Sequence, residues 1–297
     1  MHPAVRRLLA WYRRHKRELP WRQTRNPYRI FVSELMLQQT QVERVIELYH
    51  RFLHDFPTWN SLAKAPTHKL IHAWAGLGYN RRALYAREAA KDVVAKGVPT
   101  SKEGWRSLKG VGPYMSASLT AFVNHKAATV IDTNIRRVVG RVFLNIAYPT
   151  LDEDARIARV LETITPTQLD PAILPQAFMD LGATICVART PKCAICPIQK
   201  ECRSAKRFLS PRPPQPPLRH VHERIHRDKK YPDRIYRGKI LAIVREKMRV
   251  SINEGLGKQI DLTFDPIADS EWLQEMCKRM EKDGLVSVNR GILRFPA

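Results

Sequence analysis

Apolar positions recur at helical spacing through about the first 205 residues of the chain. From Pro27 to Phe52 they fall at Ile30, Leu35, Leu37, Val42, Val45, Ile46 and Tyr49, the three-and-four interval of one helix face. Strand-like alternation is nearly absent there. At 211–217 the run PRPPQPP places five prolines in seven residues, a composition that favours an extended segment and cannot continue a helix. Beyond it, Ile235 to Met248 and Ser270 to Lys282 fit two helices, and Leu285 to Phe295 (LVSVNRGILRF) alternates across an Asn-Arg-Gly turn as a hairpin does. The pattern predicts a mainly α protein. A helical domain would span 1–205, a Pro-rich basic linker 206–234, and a small α+β winged-helix-like domain 235–297.

Composition adds a partner to this outline. With 44% hydrophobic residues and six Trp in 297, the chain can bury enough surface to fold, which excludes a disordered class. Lys and Arg number 51 against 28 Asp and Glu, a net charge of +23 with a pI near 10.2. Such an excess points to a polyanion, nucleic acid before an anionic membrane surface. Between Arg207 and Arg249 thirteen cations meet four acids; a solvated basic face and a nucleic-acid contact both account for that run. No apolar run approaches the roughly 18 residues of a membrane span, and the Arg-rich start HPAVRRLLAWYRRHKREL lacks an apolar signal core. An intracellular protein without a membrane partner is therefore expected.

Four of the five cysteines, Cys186, Cys193, Cys196 and Cys202, form a C-x6-C-x2-C-x5-C run. An odd count in a chain of this length argues against a disulfide scaffold and for metal ligation. Closely spaced single cysteines, one followed by proline as in Cys196-Pro197, suit one 4Fe-4S cluster better than the paired knuckles of structural zinc, which stays as the alternative. Arg189, Lys192, Lys200 and Arg203 are interleaved with the ligands and could meet phosphates or merely balance thiolate charge. Cys277 stands apart and reads as an ordinary buried helix residue.

Two further features carry chemistry. In Leu108 to Phe122 (LKGVGPYMSASLTAF), a tight turn at Gly110, Val111 and Gly112 precedes a proline-initiated helix, whose first amides make a ready phosphate site. Alone, that turn could be a plain helix connection. Glu34 and Asp132 are acids set among apolar neighbours, Phe31, Val32, Leu35 and Met36 for the first and Val130, Ile131 and Ile135 for the second. Such surroundings perturb a carboxyl pKa in the way acid-base work near neutrality requires. Asp132 could equally cap a helix beginning at Thr133.

Together these residues resemble the helix-hairpin-helix DNA glycosylase superfamily, and most closely its MutY-type adenine-DNA glycosylases. The motifs run in the family's order from LPWR (Leu19 to Arg22) through SELMLQQTQV (Ser33 to Val42), WAGLGYNRRA (Trp74 to Ala83), LKGVGPY, IDTNIRRV (Ile131 to Val138) and QAFMDLGATIC (Gln176 to Cys186) to the four cysteines. The resemblance implies a glycosylase fold of two helical subdomains, a six-helix part over about 25–130 carrying the hairpin, and the N-terminal helix with a cluster part over 133–205. It implies a monomer acting on double-stranded DNA with a mispaired or damaged base, which is flipped into a pocket. Gln39 and Tyr79 would be the wedge that fills the hole, and Trp21, Arg22 and Gln176 would line the adenine pocket. Gly110, Val111 and Gly112 would hold the DNA backbone. Glu34 would protonate the leaving base and Asp132 would stabilise the positively charged sugar. Tyr114 stands where relatives with strand-cleaving lyase activity carry lysine, which implies a monofunctional enzyme of base excision repair removing adenine opposite 8-oxoguanine or guanine.

The chain departs from the family in three places. The tail after Pro217 does not look like the Nudix-like domain many members carry, Thr133 replaces a common glycine, and Asn80 a common aromatic. A thymine or uracil mismatch glycosylase shares the tyrosine at 114 but generally lacks the acid at 34. A cluster-bearing DNA-binding protein without catalysis would have no reason to keep both Glu34 and Asp132.

Overall fold

A computed structural model describes residues 1–217 and 225–296. The linker residues 218–224 lie outside the described residues. Among those described, the chain forms helices α1 (Pro3–His15), α2 (Pro27–Met36), α3 (Val42–Asp55), α4 (Trp59–Ala63), α5 (Thr67–Ala73), α6 (Arg81–Lys96), α7 (Lys102–Ser107), α8 (Pro113–Phe122), α9 (Thr133–Phe143), α10 (Asp154–Ile164), α11 (Ile173–Thr184), α12 (Ala205–Phe208), α13 (Asp233–Lys247), α14 (Glu254–Ile260) and α15 (Ser270–Lys282). Three short strands, β1 (Arg249–Ser251), β2 (Ser287–Asn289) and β3 (Ile292–Arg294), complete it. No helix among the described residues is long and apolar enough to cross a membrane.

Two compact units divide these elements. The first comprises Met1–Glu34, Pro99–Ser107 and 111–217. Helix α1 shows how it is built: Val5, Leu8, Leu9 and Tyr12 repeat every three to four residues and are buried, while Arg6, Arg7, Arg13 and Arg14 face water. That stripe packs on α11, whose Leu174, Ala177, Phe178 and Leu181 are also buried. Each fully buried Leu or Phe contributes about 1.5–3 kcal/mol. Helices α9 and α11 come close because Gly182 has no side chain; a Cβ there would stand 2.6 Å from the Cβ of Asn134. The proline run at 211–217 forms neither helix nor strand, and Tyr148 donates to the carbonyl of Pro214 at 2.8 Å.

The second unit comprises Leu35–Val98, Leu108–Gly110 and 225–296. Its helical half is cored by Val45, Leu48, Phe52 and Trp74, the last two meeting edge to face at 5.6 Å. The stretch expected as one helix from Pro27 to Phe52 is two, α2 and α3, broken at 37–41, where Gln39 takes a left-handed backbone (φ 59°) that a helix cannot contain.

The C-terminal half runs α13, β1, α14, α15, β2, β3, with sheet order β1-β3-β2, antiparallel throughout. Strand β1 and helix α14 escaped the sequence pattern because three residues and seven residues are too short to show a period. Buried Tyr236, Ile240, Trp272, Met276, Cys277 and Leu293 make the core of this half. Lys229 is buried between Asp261 (2.7 Å) and Asp269 (2.6 Å). Asp283, just past α15, accepts from Arg81 at 3.2 Å and from Arg237, which fastens this half to the first turn of α6.

Candidate active site

The first unit gathers Glu34, Tyr114 and Asp132, which lie 80 and 98 residues apart in the chain and are brought by the last turn of α2, the first turn of α8 and the cap of α9. Glu34 is 6% exposed. Its Oε2 accepts from the Tyr114 hydroxyl at 3.1 Å and from Ser118 Oγ at 2.8 Å. Tyr114 and Ser118 are one helical turn apart on α8, so both reach the same oxygen. Sequence reading missed Ser118; its i+4 spacing from Tyr114 was the available signal.

Burial pushes the Glu34 carboxyl above its ordinary range, the two hydroxyl hydrogen bonds oppose that rise, and the Asp132 charge adds to it. Asp132 is raised too, first by burial, against hydrogen bonds from its surroundings. It caps α9: Oδ1 accepts from the Ile135 amide at 2.6 Å and Oδ2 from Asn134 Nδ2 at 2.9 Å. The cap and the acid are thus one residue, held at fixed orientation. Burial and the two neighbouring carboxylates also lift the Tyr114 hydroxyl well above its usual value, so it stays a donor.

The expected pocket residues form an adjoining network in the same unit. Arg22 grips Asp180 in a fork, Nη1 to Oδ2 at 2.7 Å and Nη2 to Oδ1 at 3.0 Å, and Arg17 Nε donates to Oδ1 at 2.6 Å. Asp180 is fully buried; burial raises its pKa, but the hydrogen bonds and charges of Arg22 and Arg17 prevail and hold it below the usual range. Gln176 accepts from the Tyr12 hydroxyl at 2.9 Å, and Trp21 is buried. Asp180 was legible by the rule that singled out Glu34, an acid in an otherwise apolar helix (ILPQAFMDLGAT).

The hairpin divides between the units. Gly110 has φ +82°, and a Cβ on it would meet the Tyr85 Cβ at 2.8 Å, so no other residue fits without movement. Val111 is buried and its carbonyl accepts from Arg106 at 2.9 Å, while Gly112 caps α8 ahead of Pro113. In the second unit Gln39 (φ 59°) and Tyr79 (φ 47°) are both non-glycine residues in left-handed backbone, and the Tyr79 ring is half exposed. Lys109 stacks on the Tyr85 ring at 5.6 Å.

The four cysteine thiols line one cavity with Val138, Val142, Leu181, Ile185 and Phe208. Among the described residues no group of three or more His, Cys, Asp or Glu is arranged to hold a single metal ion. The donor set nevertheless suits a larger thiolate-bound group. Burial and mutual repulsion of the thiolates push Cys196 up to about 12 and Cys202 to about 11, a cost that a polycationic centre would remove. Two arginines of α9 hold the loop. Buried Arg141 donates to the carbonyls of Val187 and Ala188 and reaches Cys186 Sγ at 3.5 Å; Arg137 Nε donates to the Cys186 carbonyl at 2.7 Å. Neither was singled out from sequence, although their i,i+4 placement on an amphipathic helix aims both one way. Arg189, Lys192, Lys200 and Arg203 are exposed.

Comparison with known proteins places this arrangement. Residues 32–163 match the model of the HhH-GPD superfamily base excision DNA repair protein. Adenine DNA glycosylase of Mycolicibacterium smegmatis is 34% identical over 80% of this chain and 79% of its own length. Adenine DNA glycosylase of Mycobacterium tuberculosis is 38% identical, with 66% of each chain covered, and the human one 36% identical over 67% of this chain but only 39% of its own. Among solved structures, a thermostable thymine-DNA glycosylase is 28% identical with a TM-score of 0.62, covering 68% of this chain and 94% of its own. A trapped endonuclease III–DNA covalent intermediate shares the fold at 20% identity, with a TM-score of 0.61 over 70% of this chain and 96% of its own. Fold and matched motifs define a helix-hairpin-helix base-excision class. Within it, the chain belongs to the adenine DNA glycosylase family.

Proposed function

We propose that the chain excises adenine mispaired with 8-oxoguanine or guanine in duplex DNA, hydrolysing the N-glycosidic bond without cutting the strand. The observation that carries this reading is the buried Glu34 carboxyl, bonded to Tyr114 and Ser118 and raised in pKa beside Asp132. In its acid form, which burial favours, Glu34 delivers a proton to a ring nitrogen of the flipped adenine, making the base a better leaving group; the ionised form then positions water. Asp132, fixed by its cap hydrogen bonds, stabilises the positive charge that develops on the sugar. Tyr114 supplies a hydroxyl where an amine would form a Schiff base, so strand cleavage has no nucleophile at this position. Gln39 and Tyr79 fill the vacated stack, and Trp21, Arg22 and Gln176 shape the pocket. Arg22 does so through Asp180, to which its fork is bound.

Cys186, Cys193, Cys196 and Cys202 would hold one 4Fe-4S cluster. When bound, the cluster supplies charge compensation for four thiolates and ties the ends of the loop together. Exposed Arg189, Lys192, Lys200 and Arg203, with the amides of the Gly110–Gly112 turn, meet duplex phosphates. In the C-terminal half, exposed Arg249 and Arg294 stand directly opposite each other on β1 and β3. Like charges so placed repel, and a phosphodiester between them relieves the repulsion.

Four duplexes test the reading: A opposite 8-oxoguanine, A opposite guanine, T opposite guanine and U opposite guanine, scored for abasic sites after alkali. Adenine loss with no cleavage before alkali supports it. Loss of T or U with adenine untouched overturns it in favour of the pyrimidine mismatch activity that the thymine-DNA glycosylase likeness suggests. Purified protein that is colourless and carries zinc without iron or sulfide overturns the cluster assignment.

A further inference from the structure

Two short loops of the second unit share an unusual fastening. The 37–41 loop carries Gln39 and the loop at 76–80 carries Tyr79, each in left-handed backbone that side-chain-bearing residues adopt only when their surroundings impose it. Between them lies Arg82, 7% exposed. Its Nη1 donates to the carbonyls of Leu35 (2.8 Å), Met36 (3.2 Å) and Gln38 (2.6 Å). Its Nη2 donates to Thr40 Oγ1 (3.3 Å) and to the carbonyls of Leu77 (3.0 Å) and Gly78 (3.2 Å). One planar fork thus reads the two residues before Tyr79 with one nitrogen and three carbonyls before Gln39 with the other.

The same side chain caps α2, because Leu35 and Met36 end that helix immediately after Glu34. A Thr40 hydroxyl bond to the Leu77 carbonyl (3.1 Å) and a Trp74 indole bond to the Gly78 carbonyl (3.2 Å) complete the joint. The guanidinium also lies 5.5 Å from the centre of the Trp74 ring and 5.7 Å from that of Tyr79. All six acceptors are carbonyls or a hydroxyl. Desolvation lowers Arg82 only to about 10, so it stays charged at neutral pH and its hydrogen bonds to neutral acceptors keep their charge-assisted strength.

We propose that Arg82 is a positioning residue for base extrusion: it locks the loops of Gln39 and Tyr79 to each other and holds both residues in the backbone geometry that aims them at the duplex. The proposal rests on reading Gln39 and Tyr79 as the wedge. Arg82 touches no reacting atom, so its loss should slow flipping and leave the glycosidic step itself intact. Lysine at this position keeps the charge but offers one nitrogen, which cannot serve both sets of carbonyls.

The test compares Arg82→Lys and Thr40→Val with the unchanged protein and with Tyr79→Ala. Two readouts are needed: fluorescence of 2-aminopurine placed beside the target base, which reports unstacking, and single-turnover excision from a duplex and from a single strand whose base needs no extrusion. Arg82→Lys should reduce the fluorescence rise and slow duplex excision at least about tenfold while changing single-strand excision less than about threefold. Thr40→Val should act in the same direction more weakly, and carries the test if Arg82→Lys does not fold. Equal slowing on both substrates, or no change in fluorescence, overturns the role of Arg82. An unchanged signal for Tyr79→Ala overturns the wedge reading and this proposal with it; a lost signal for Tyr79→Ala beside a normal one for Arg82→Lys overturns this proposal alone.

Discussion

The acid site around Glu34 and the joint around Arg82 each bury a charge with no opposite charge bonded to it, and they respond differently. Glu34 answers burial by rising in pKa, moving toward the neutral acid. Arg82 is lowered only to about 10 and keeps its charge at neutral pH. A carboxyl starts near the bottom of the pH scale and can take up a proton within reach of neutrality, whereas a guanidinium starts so high that desolvation leaves it a cation. One region is shifted toward the form that can donate a proton; the other keeps a cation whose hydrogen bonds set backbone geometry. Asp180 is the control within the first unit: equally buried, gripped by Arg22 and Arg17, and held low instead of high.

The largest effect separating these cases is chemical. Glu34→Gln keeps an acceptor for Tyr114 and Ser118 but has no proton of suitable acidity, and excision should fall about 10³-fold or more in single-turnover assays, with duplex binding retained. Asp132→Asn preserves the helix cap, since asparagine caps as well as aspartate, and should cost about 10²–10³-fold through lost charge stabilisation.

Stability sharpens the comparison by its sign. Because Glu34 is raised in the fold, its contribution favours folding at low pH and is lost as pH rises through its folded pKa. Glu34→Gln should therefore raise Tm at neutral and alkaline pH, with a gap that closes on acidification. Asp180 is depressed, so its contribution is present above the unfolded carboxyl pKa and lost as pH falls through the folded one. Asp180→Asn strands two guanidinium groups and should cost about 3–5 kcal/mol at neutral pH in denaturant unfolding. Two buried acids in one unit would then give thermal shifts of opposite direction.

The smallest effect lies in the C-terminal half. Replacing both Arg249 and Arg294 with alanine should reduce the slope of log binding constant against log salt by about 0.9 on undamaged duplex, the share of the single phosphate held between them. An unchanged slope would confine backbone contact to other cations.

Much of the molecule was legible in the chain because it rests on local pattern. The helix over 270–282 and the hairpin at 287–294 follow from periodicity and an Asn-Arg-Gly turn, and the Asp132 cap from the residue order of IDTNI. What escaped is the second layer of contact. Ser118 behind Glu34, Asp180 behind Arg22, and Arg137 and Arg141 behind the cysteine loop each bind across 45 or more residues of sequence, apart from any motif they support. The break between α2 and α3 escaped for a related reason. Apolar spacing continues through 37–41, and only the carbonyl-binding fork of Arg82, more than forty residues away, shows why the chain turns there.

The central claim is that a buried, protonated Glu34 drives adenine removal, and the pH dependence of single-turnover excision from a duplex with A opposite 8-oxoguanine tests it most directly. As pH rises, the Tm advantage of Glu34→Gln should widen from the unfolded carboxyl pKa up to the folded pKa of Glu34 and then stay constant, while the rate should hold level up to that folded pKa and fall above it as Glu34 loses its proton. A rate that stays level above the pH at which that stability gap has stopped widening would contradict the assignment of Glu34 as the acid.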